Sequence, residues 1–292
     1  MKKMFFSILA FVAVLVVSGN TVLWGQAAPR TDNDYNERGV RYFNNGDYDN
    51  AVADYTQLVR LSPSEQSFGL LALAYNRRGL YQYNNNGDYD RAIEDFNRAI
   101  NLNPNFANAF SNRGLAYINK RDYDRAIVEL TQAILLDPNL AGAYTNRGFA
   151  YMQKGDYDRA IADYTQAIRL NPNDADTYFS RGFAYFNKSD DDRAIADYTQ
   201  AIRLNPNDAA TYYNRGLAYA AKGDYDRAIA DYTKTIQMSP NATAAYTFRG
   251  VAYYRKGDLG SAIADTEAAL QINPNYTTAK DNLEFLRQQR GW

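Results

Sequence analysis

The side chains that could carry chemistry in this chain are arginines and carboxylates that recur in step. An arginine stands directly before a glycine at a regular interval, and an acid follows each arginine about half an interval later. These arginines are Arg38, Arg78, Arg113, Arg147, Arg181, Arg215 and Arg249, and the acids are Asp54, Asp95, Glu129, Asp163, Asp197, Asp231 and Asp265. A row of arginines could bind phosphate or another polyanion. Alternatively, each arginine pairs with the acid of its own repeat, and we favour this pairing because every repeat supplies the acid.

A second set of carboxylates lies in the recurring run Asp-Tyr-Asp-Arg, as at Asp156 to Arg159. Two carboxylates so close together could hold a cation. We favour a structural role, because an acid at a helix N-terminus accepts hydrogen bonds from unpaired backbone N–H groups and interacts favourably with the helix dipole. We therefore predict that these acids cap helices and that the protein has no metal site.

The composition excludes several classes of function. The chain has 292 residues and contains neither cysteine nor histidine, which removes disulfides, thiolate nucleophiles, imidazole bases and the usual ligands of zinc and haem. No nucleophile–base pair or phosphate-binding loop is visible, so we predict a protein that is not an enzyme and uses no cofactor. The formal net charge is −1, from 32 basic and 33 acidic residues, and this balance gives no field that would attract nucleic acid.

The N-terminal segment differs from the rest of the chain. Lys2 and Lys3 precede the apolar run from Met4 to Val17, and Gly25 and Ala27 follow in a small, polar stretch. This order is typical of a secretory signal peptide over residues 1–27, cleaved near Ala27. The alternative is an uncleaved N-terminal membrane anchor, although the apolar run is shorter than the roughly 20 residues that a spanning helix needs. We predict a bacterial periplasmic or secreted protein without stable membrane insertion after cleavage.

The glycines that follow the arginines are Gly39, Gly79, Gly114, Gly148, Gly182, Gly216 and Gly250. The last four intervals between them are 34 residues, and a fixed period of this length is typical of stacked helical or similar units. In the unit from Ala141 to Asp174, apolar residues recur at helical spacing. Gly155 can end a first helix, Asp156 can cap a second, and Pro172 stops it. Each unit is predicted to be two antiparallel helices joined by a tight turn.

The pattern within a unit resembles the tetratricopeptide repeat: Gly at position 8, Tyr at 11, Ala at 20, an aromatic residue at 24, Ala at 27 and Pro at 32. The resemblance implies an all-α, right-handed superhelical solenoid of seven helix-turn-helix units, followed by a capping helix over residues 277–292. Leu283, Phe285 and Leu286 are the residues of that helix expected to dock on the last unit. The seven units are 32–65, 72–106, 107–140, 141–174, 175–208, 209–242 and 243–276.

Three departures from the pattern are local. Extra residues around Ser64 to Gly69 are expected either to lengthen the first helix of the second unit or to form a loop. A surplus residue near Asn84 to Asn86 leaves the helical register of that unit open. Ser189 stands where most units have the turn glycine, so we expect the fifth unit to be the least stable.

The resemblance also implies a concave groove lined by the first helix of each unit, mainly by positions 2, 5, 9, 12 and 13. We favour contact with a ligand for Phe179, Phe183 and Phe186, and packing between helices for Leu115, Leu217 and Val251. The predicted peptide-binding residues are Thr145, Phe149, Met152, Phe179, Phe183, Phe186, Asn187, Tyr213 and Tyr254.

A groove with an aromatic and apolar centre is suited to an extended or helical peptide with apolar anchors. The favoured hypothesis is an exported, non-catalytic scaffold that binds a segment of a partner protein in the groove. The alternative is a structural role, in which the protein assembles into a homo-oligomer as part of a cell-envelope complex. An enzyme is the least favoured of the three hypotheses.

Overall fold

The computed structural model describes residues 31–289, which fold into helices and connecting turns and contain no strand. The predicted signal segment, residues 1–27, lies outside the described residues. The helices are α1 (Asp32–Asn44), α2 (Tyr48–Leu61), α3 (Glu65–Tyr81), α4 (Tyr89–Leu102), α5 (Ala107–Asn119), α6 (Tyr123–Leu136), α7 (Ala141–Gln153), α8 (Tyr157–Leu170), α9 (Ala175–Asn187), α10 (Asp191–Leu204), α11 (Ala209–Ala221), α12 (Tyr225–Met238), α13 (Thr243–Arg255), α14 (Leu259–Ile272) and α15 (Thr277–Gln289).

The chain divides into two compact units, with the boundary between Ala74 and Tyr75, inside α3. In the first unit, α1 packs against α2. In the second unit, from α4 onward, each helix packs mainly against its neighbours in the chain, and the first helices of successive repeats, α5, α7, α9, α11 and α13, also touch in sequence. The second unit therefore has the all-α helix-pair stacking that the period predicts.

The turn within a repeat is built from a left-handed residue followed by a capping acid. Between α7 and α8, Gly155 has φ +77°, and the Asp156 carboxylate accepts a hydrogen bond from the Arg159 backbone N–H at 3.1 Å. The prediction that these acids cap helices is confirmed. The same cap is formed by Asp47, Asp88, Asp122, Asp156, Asp190, Asp224 and Asp258.

Small residues allow the two helices of a repeat to approach closely. Gly148 on α7 lies against the Tyr164 ring of α8, and a Cβ at Gly148 would be 2.9 Å from Tyr164 Cε1. Ala160, on α8, is fully buried. The core is consequently a series of layers in which a buried side chain of the second helix covers a glycine of the first; this side chain is aromatic or leucine except in the last repeat, where it is Thr266.

The second repeat differs from the others in length. Helix α3 has 17 residues and begins at Glu65, so the extra residues of this region lengthen the helix. The surplus residue near its end is accommodated by a wider π-helical turn, Gln82–Asn86, which Gly87 terminates with φ +60°. Arg121 and Ser189 have φ +60° and +59° and occupy the turn-glycine position in their repeats. The departure at Ser189 was predicted, and the one at Arg121 was not.

The capping helix α15 covers α14 with two of the three predicted side chains. Leu283 and Leu286 are buried together with Ala262 and Ile263 of α14. Phe285 also meets the last repeat, but through the Tyr254 ring of α13, and it remains 45% exposed. Leu283 and Leu286 are three residues apart on the face that meets α14, and Phe285 lies beside that face, next to α13.

Candidate functional site

The seven arginines bind the acids of their own repeats. Arg147 donates from Nε to Asp163 Oδ2 and from Nη2 to Asp163 Oδ1, both at 2.8 Å, and these bonds raise the pKa of the guanidinium above its ordinary value. The favoured reading of the motif is thus confirmed. The pairs are Arg38–Asp54, Arg78–Asp95, Arg113–Glu129, Arg147–Asp163, Arg181–Asp197, Arg215–Asp231 and Arg249–Asp265.

The arginines also connect one repeat to the preceding one. Arg147 Nη1 donates to Thr131 Oγ1 of α6 at 3.0 Å, and its Cζ lies 5.8 Å from the centre of the Tyr144 ring. A carboxylate, a hydroxyl and an aromatic ring thus surround the guanidinium, which leaves little of it for an external anion. The equivalent bonds to the preceding repeat are Arg113–Asn97, Arg181–Thr165, Arg215–Thr199 and Arg249–Thr233.

A second series of ion pairs runs along the surface between repeats. Lys188 of one repeat pairs with Asp158 of the repeat before it. Asp158 is the second acid of the Asp-Tyr-Asp-Arg run whose first acid caps α8, so both acids have structural partners. Equivalent pairs are Lys120–Asp90, Lys154–Asp124, Lys222–Asp192 and Lys256–Asp226. The seventh repeat has Gly260 where the earlier ones have this acid.

The three predicted groove residues of α7 differ in exposure. Phe149 is 36% exposed. Met152 is half-buried and packs against the core layer of Tyr164, and Thr145 Oγ1 lies 3.2 Å from Thr177 Oγ1 on α9. Phe149 is therefore the most exposed of these three residues and the one most available to a ligand.

The phenylalanines of α9 do not behave as one set. Phe179 and Phe186 pack against the buried layer that contains Tyr198, and the Phe179 and Tyr198 ring centres are 5.7 Å apart. Phe183 is half-buried and lies outside that layer. The neighbouring Asn187 is exposed, and its Nδ2 donates to the Phe183 carbonyl at 2.8 Å.

The predicted tyrosines lie at the edges of core layers. The Tyr213 ring is 5.9 Å from Tyr232 and 6.1 Å from Phe248, and burial raises the pKa of Tyr213 to about 12. Tyr254 meets Phe285 of α15 edge-on, with ring centres 5.3 Å apart. Both tyrosines therefore support packing as well as offering one side to the surface of the first helices.

Sequence reasoning missed a cavity between α13 and α15. Its volume is about 290 Å³, and Tyr254 is the one lining residue that was predicted as a site residue. The signal for it lies in Arg255, which carries a positive charge at position 13, where α1, α5, α7, α9 and α11 have Asn44, Asn119, Gln153, Asn187 and Ala221. The cavity is lined by Val251, Tyr254, Arg255, Asn282, Phe285 and Leu286.

Comparison with known families decides what kind of protein this is. A family model described as "TPR repeat" matches residues 81–121, 117–155, 150–189 and 184–223, and one described as "Tetratricopeptide repeat" matches residues 36–82 and 213–277. The chain belongs to the tetratricopeptide-repeat (TPR) family. Proteins built from TPR units typically serve as non-catalytic scaffolds for protein–protein interaction.

Solved TPR structures resemble this one. YrrB, described as a TPR protein with an unusual peptide-binding site, has a TM-score of 0.60 and 24% identity and covers 65% of this chain and 97% of its own. MamA has a TM-score of 0.54 and 32% identity, over 56% of this chain and 96% of its own. The C-terminal part of a TPR protein from Cytophaga hutchinsonii has a TM-score of 0.64 and 22% identity, over 85% and 98%. The first and third likenesses show the fold alone.

A comparison with curated proteins gives no match. Within residues 31–289, no helix combines the length and the apolar character needed to cross a membrane.

Proposed function

We propose that this TPR protein is an exported scaffold that binds an extended segment of a partner protein along the first helices of its second unit. The observation that carries the proposal is the pair Phe149 and Phe183. They occupy position 9 of two adjacent repeats whose first helices, α7 and α9, are in contact. Neither ring belongs to a buried layer, and Phe149 is 36% exposed, so a partner can cover both.

Binding would draw its free energy mainly from covering these rings. Complete burial of one phenylalanine side chain contributes about 1.5–3 kcal/mol, and aromatic anchors of this kind often dominate the energy of peptide recognition. The exposed Asn187 amide is close enough to Phe183 to exchange its bond with the Phe183 carbonyl for one with the peptide backbone. YrrB provides a precedent for a peptide-binding site on this fold, as its description states.

Export is the part of the proposal that rests on the N-terminal segment. The basic, apolar and small-residue regions of residues 1–27 follow the order of a signal peptide, which supports a periplasmic or secreted location. The alternative of an N-terminal anchor would keep the same repeats at a membrane surface. The two locations are distinguished by the mass of the protein recovered from cells, because cleavage near Ala27 removes the segment.

A second candidate function, a self-assembling structural component, is favoured by one surface feature. Val128 and Leu135 on α6 are 66% and 70% exposed. The other repeats have alanine or glutamate at the position of Val128, and arginine, glutamine or asparagine at the position of Leu135. Exposed apolar side chains one above the other on a helix are suited to a protein contact. End-to-end stacking is disfavoured, because α15 covers the last repeat and Gly260 omits the acid that would pair with a further repeat.

The test is affinity capture from an envelope extract with three forms of the protein. The wild type is compared with a Phe149→Glu, Phe183→Glu variant and with a control Val128→Glu, Leu135→Glu variant, all with unchanged helical circular dichroism. Retention of a partner by the wild type and the control, but not by the Phe149 and Phe183 variant, is the expected result. Loss only with the Val128 and Leu135 variant would move the interface to α6, and a monomer–dimer shift in light scattering for that variant would establish self-assembly.

A further inference from the structure

The geometry points to a specific pocket at the C-terminal end of the repeats. The cavity between α13 and α15 takes an apolar side chain of the bound segment, and Arg255 pairs with an aspartate or glutamate next to that side chain. The inference rests on the proposed function, since the occupant is a residue of the same peptide. It specifies the chemistry of the ligand: an acidic residue next to an apolar residue, both within the bound segment and not at its end.

The walls of the cavity are apolar and come from two helices. Val251 and Tyr254 belong to α13, and Phe285 and Leu286 belong to α15. The Tyr254 and Phe285 rings meet at 82°, which gives the pocket two aromatic surfaces. The volume of about 290 Å³ is at the lower end for ligand pockets, roughly 300–1,000 Å³, so it suits one large side chain better than a whole small molecule.

Phe285 is not part of the buried contact between α15 and α14. Leu283 and Leu286 already supply the buried contact with α14, and Phe285 remains 45% exposed. An apolar ligand group would remove the exposed part of this ring from water, which is favourable. Binding of an apolar group in the cavity is therefore favourable.

The polar side chains at the rim determine which ligand fits. Arg255 and Asn282 make no side-chain hydrogen bond or ion pair to any residue in the described range 31–289, in contrast to Arg249, which binds Asp265 and Thr233. The carboxylates of α15, Asp281 and Glu284, are not part of the lining. A pocket with one cation and no anion favours a carboxylate, and a charge-assisted bond to guanidinium is stronger than a neutral one.

The occupant is an acidic side chain within a continuing segment. Phe149 and Phe183 lie at position 9 of two adjacent repeats, and Val251, at position 9 of the last repeat, lines the pocket, so a peptide that continues along the first helices reaches this pocket as part of a longer segment. A carboxylate adjacent to the apolar anchor then comes from its neighbouring residue. A terminal carboxylate is the competing source and is an outcome of the test.

Three short peptides serve as probes, each measured by isothermal titration calorimetry with the purified protein. The first is N-acetyl-Ala-Glu-Phe-Ala-amide, the second replaces Glu with Gln, and the third is N-acetyl-Ala-Gln-Phe with a free C-terminus. The first peptide is expected to bind about tenfold more tightly than the second, from the loss of one charged hydrogen bond. Equal binding of the first two, or preference for the third alone, would overturn the inference.

Variants assign the effect to the pocket. Arg255→Gln is expected to remove the tenfold preference, and Phe285→Ala to weaken binding of all three peptides. Arg169→Gln, a change of an exposed arginine at the end of α8, is the matched control and should leave all three affinities unchanged. If Arg255→Gln keeps the preference for the acidic peptide, Arg255 is not the recognising group.

The capture experiment separates this inference from the proposed function. If the Phe149→Glu, Phe183→Glu variant loses its partner while Arg255→Gln leaves peptide binding unchanged, only the pocket is wrong. If that variant keeps its partner while Arg255→Gln removes the preference for the acidic peptide, the pocket stands and the binding path along α7 and α9 is wrong.

Discussion

Arg181 and Asp197 are joined by two parallel hydrogen bonds, Nε to Oδ2 at 2.7 Å and Nη2 to Oδ1 at 2.8 Å, which connect α9 to α10. The same guanidinium donates from Nη1 to Thr165 Oγ1 of α8 at 3.0 Å. One side chain therefore ties together three helices from two repeats. Because this arrangement recurs in successive repeats, it can stabilise each repeat and its junction with the one before.

Removal of the carboxylate from one of these pairs should lower the stability of the protein substantially. Asp197→Ala leaves Arg181 partly buried without its main partner, and we expect the free energy of unfolding to fall by about 3 kcal/mol, measured by urea denaturation. Arg193→Ala in the same repeat breaks the exposed pair with Asp190 and should lower the free energy of unfolding much less, because exposed ion pairs contribute little to stability. Equal losses for the two variants would contradict a special role for the buried pair.

Glycine is required where the two helices of a repeat cross, because the facing side chain leaves no room for a Cβ atom. Gly148→Ala would place a Cβ 2.9 Å from Tyr164 Cε1, and overpacking of this kind typically costs about 1–3 kcal/mol. Gly142→Ala lies in the same helix with no atom within 4 Å of the new Cβ, so it should be neutral or stabilising by up to about 1 kcal/mol. Thermal unfolding of the two variants checks the difference, and a stable Gly148→Ala protein would show that the layer can expand.

The helices and turns could be predicted from the sequence because their signals are local and repeated. Gly155 and Asp156 define a turn by their own backbone preferences and hydrogen bonds, whatever lies elsewhere in the chain. The structure of the second repeat could not be predicted in full, because local signals do not determine it. Extra residues near Ser64 could extend α3 or loop out, and local propensity alone does not separate these outcomes.

The candidate site was less predictable because exposure depends on packing between helices. Phe179, Phe183 and Phe186 share one face by spacing, but only Phe179 and Phe186 pack against the layer that contains Tyr198 of α10. The contact of Phe285 with α13 instead of α14 could not be predicted, because the sequence does not determine the rotation of α15 against the last repeat. Arg255 was missed because a single charge at the end of a helix carries no periodic signal.

Two buried tyrosine hydroxyls, those of Tyr198 and Tyr232, have no hydrogen-bond partner. An unpaired buried polar group costs about 1–3 kcal/mol, so we expect Tyr198→Phe to raise the free energy of unfolding by about 1 kcal/mol. Phe96 already occupies the equivalent position in the second repeat. Tyr164→Phe is the matched control, because its hydroxyl lies 4.0 Å from the Met152 sulfur and its loss should bring less gain. A destabilised Tyr198→Phe protein would contradict the expectation.

Stability should fall in alkaline solution. Burial raises the pKa of Tyr213 to about 12, above the value of about 10 for an unfolded chain. Between these values the unfolded state loses the proton that the folded state keeps, so the free energy of unfolding decreases by up to about 1.4 kcal/mol per pH unit for this group. Urea midpoints from pH 8 to 11.5 measure the slope, which Tyr213→Phe should reduce. A midpoint independent of pH above 10 would refute the assignment.

Ser189 holds a left-handed conformation, φ +59°, in the turn between α9 and α10. Glycine adopts this conformation without steric cost, so we expect Ser189→Gly to stabilise the protein by about 1 kcal/mol. The reverse change in the preceding repeat, Gly155→Ser at φ +77°, should destabilise by a similar amount. Hydrogen exchange would locate both effects, since slower exchange in α9 and α10 of Ser189→Gly is expected if this repeat is the first to open. Unchanged exchange there, with a higher global stability, would mean that the fifth repeat is not the weakest part of the chain.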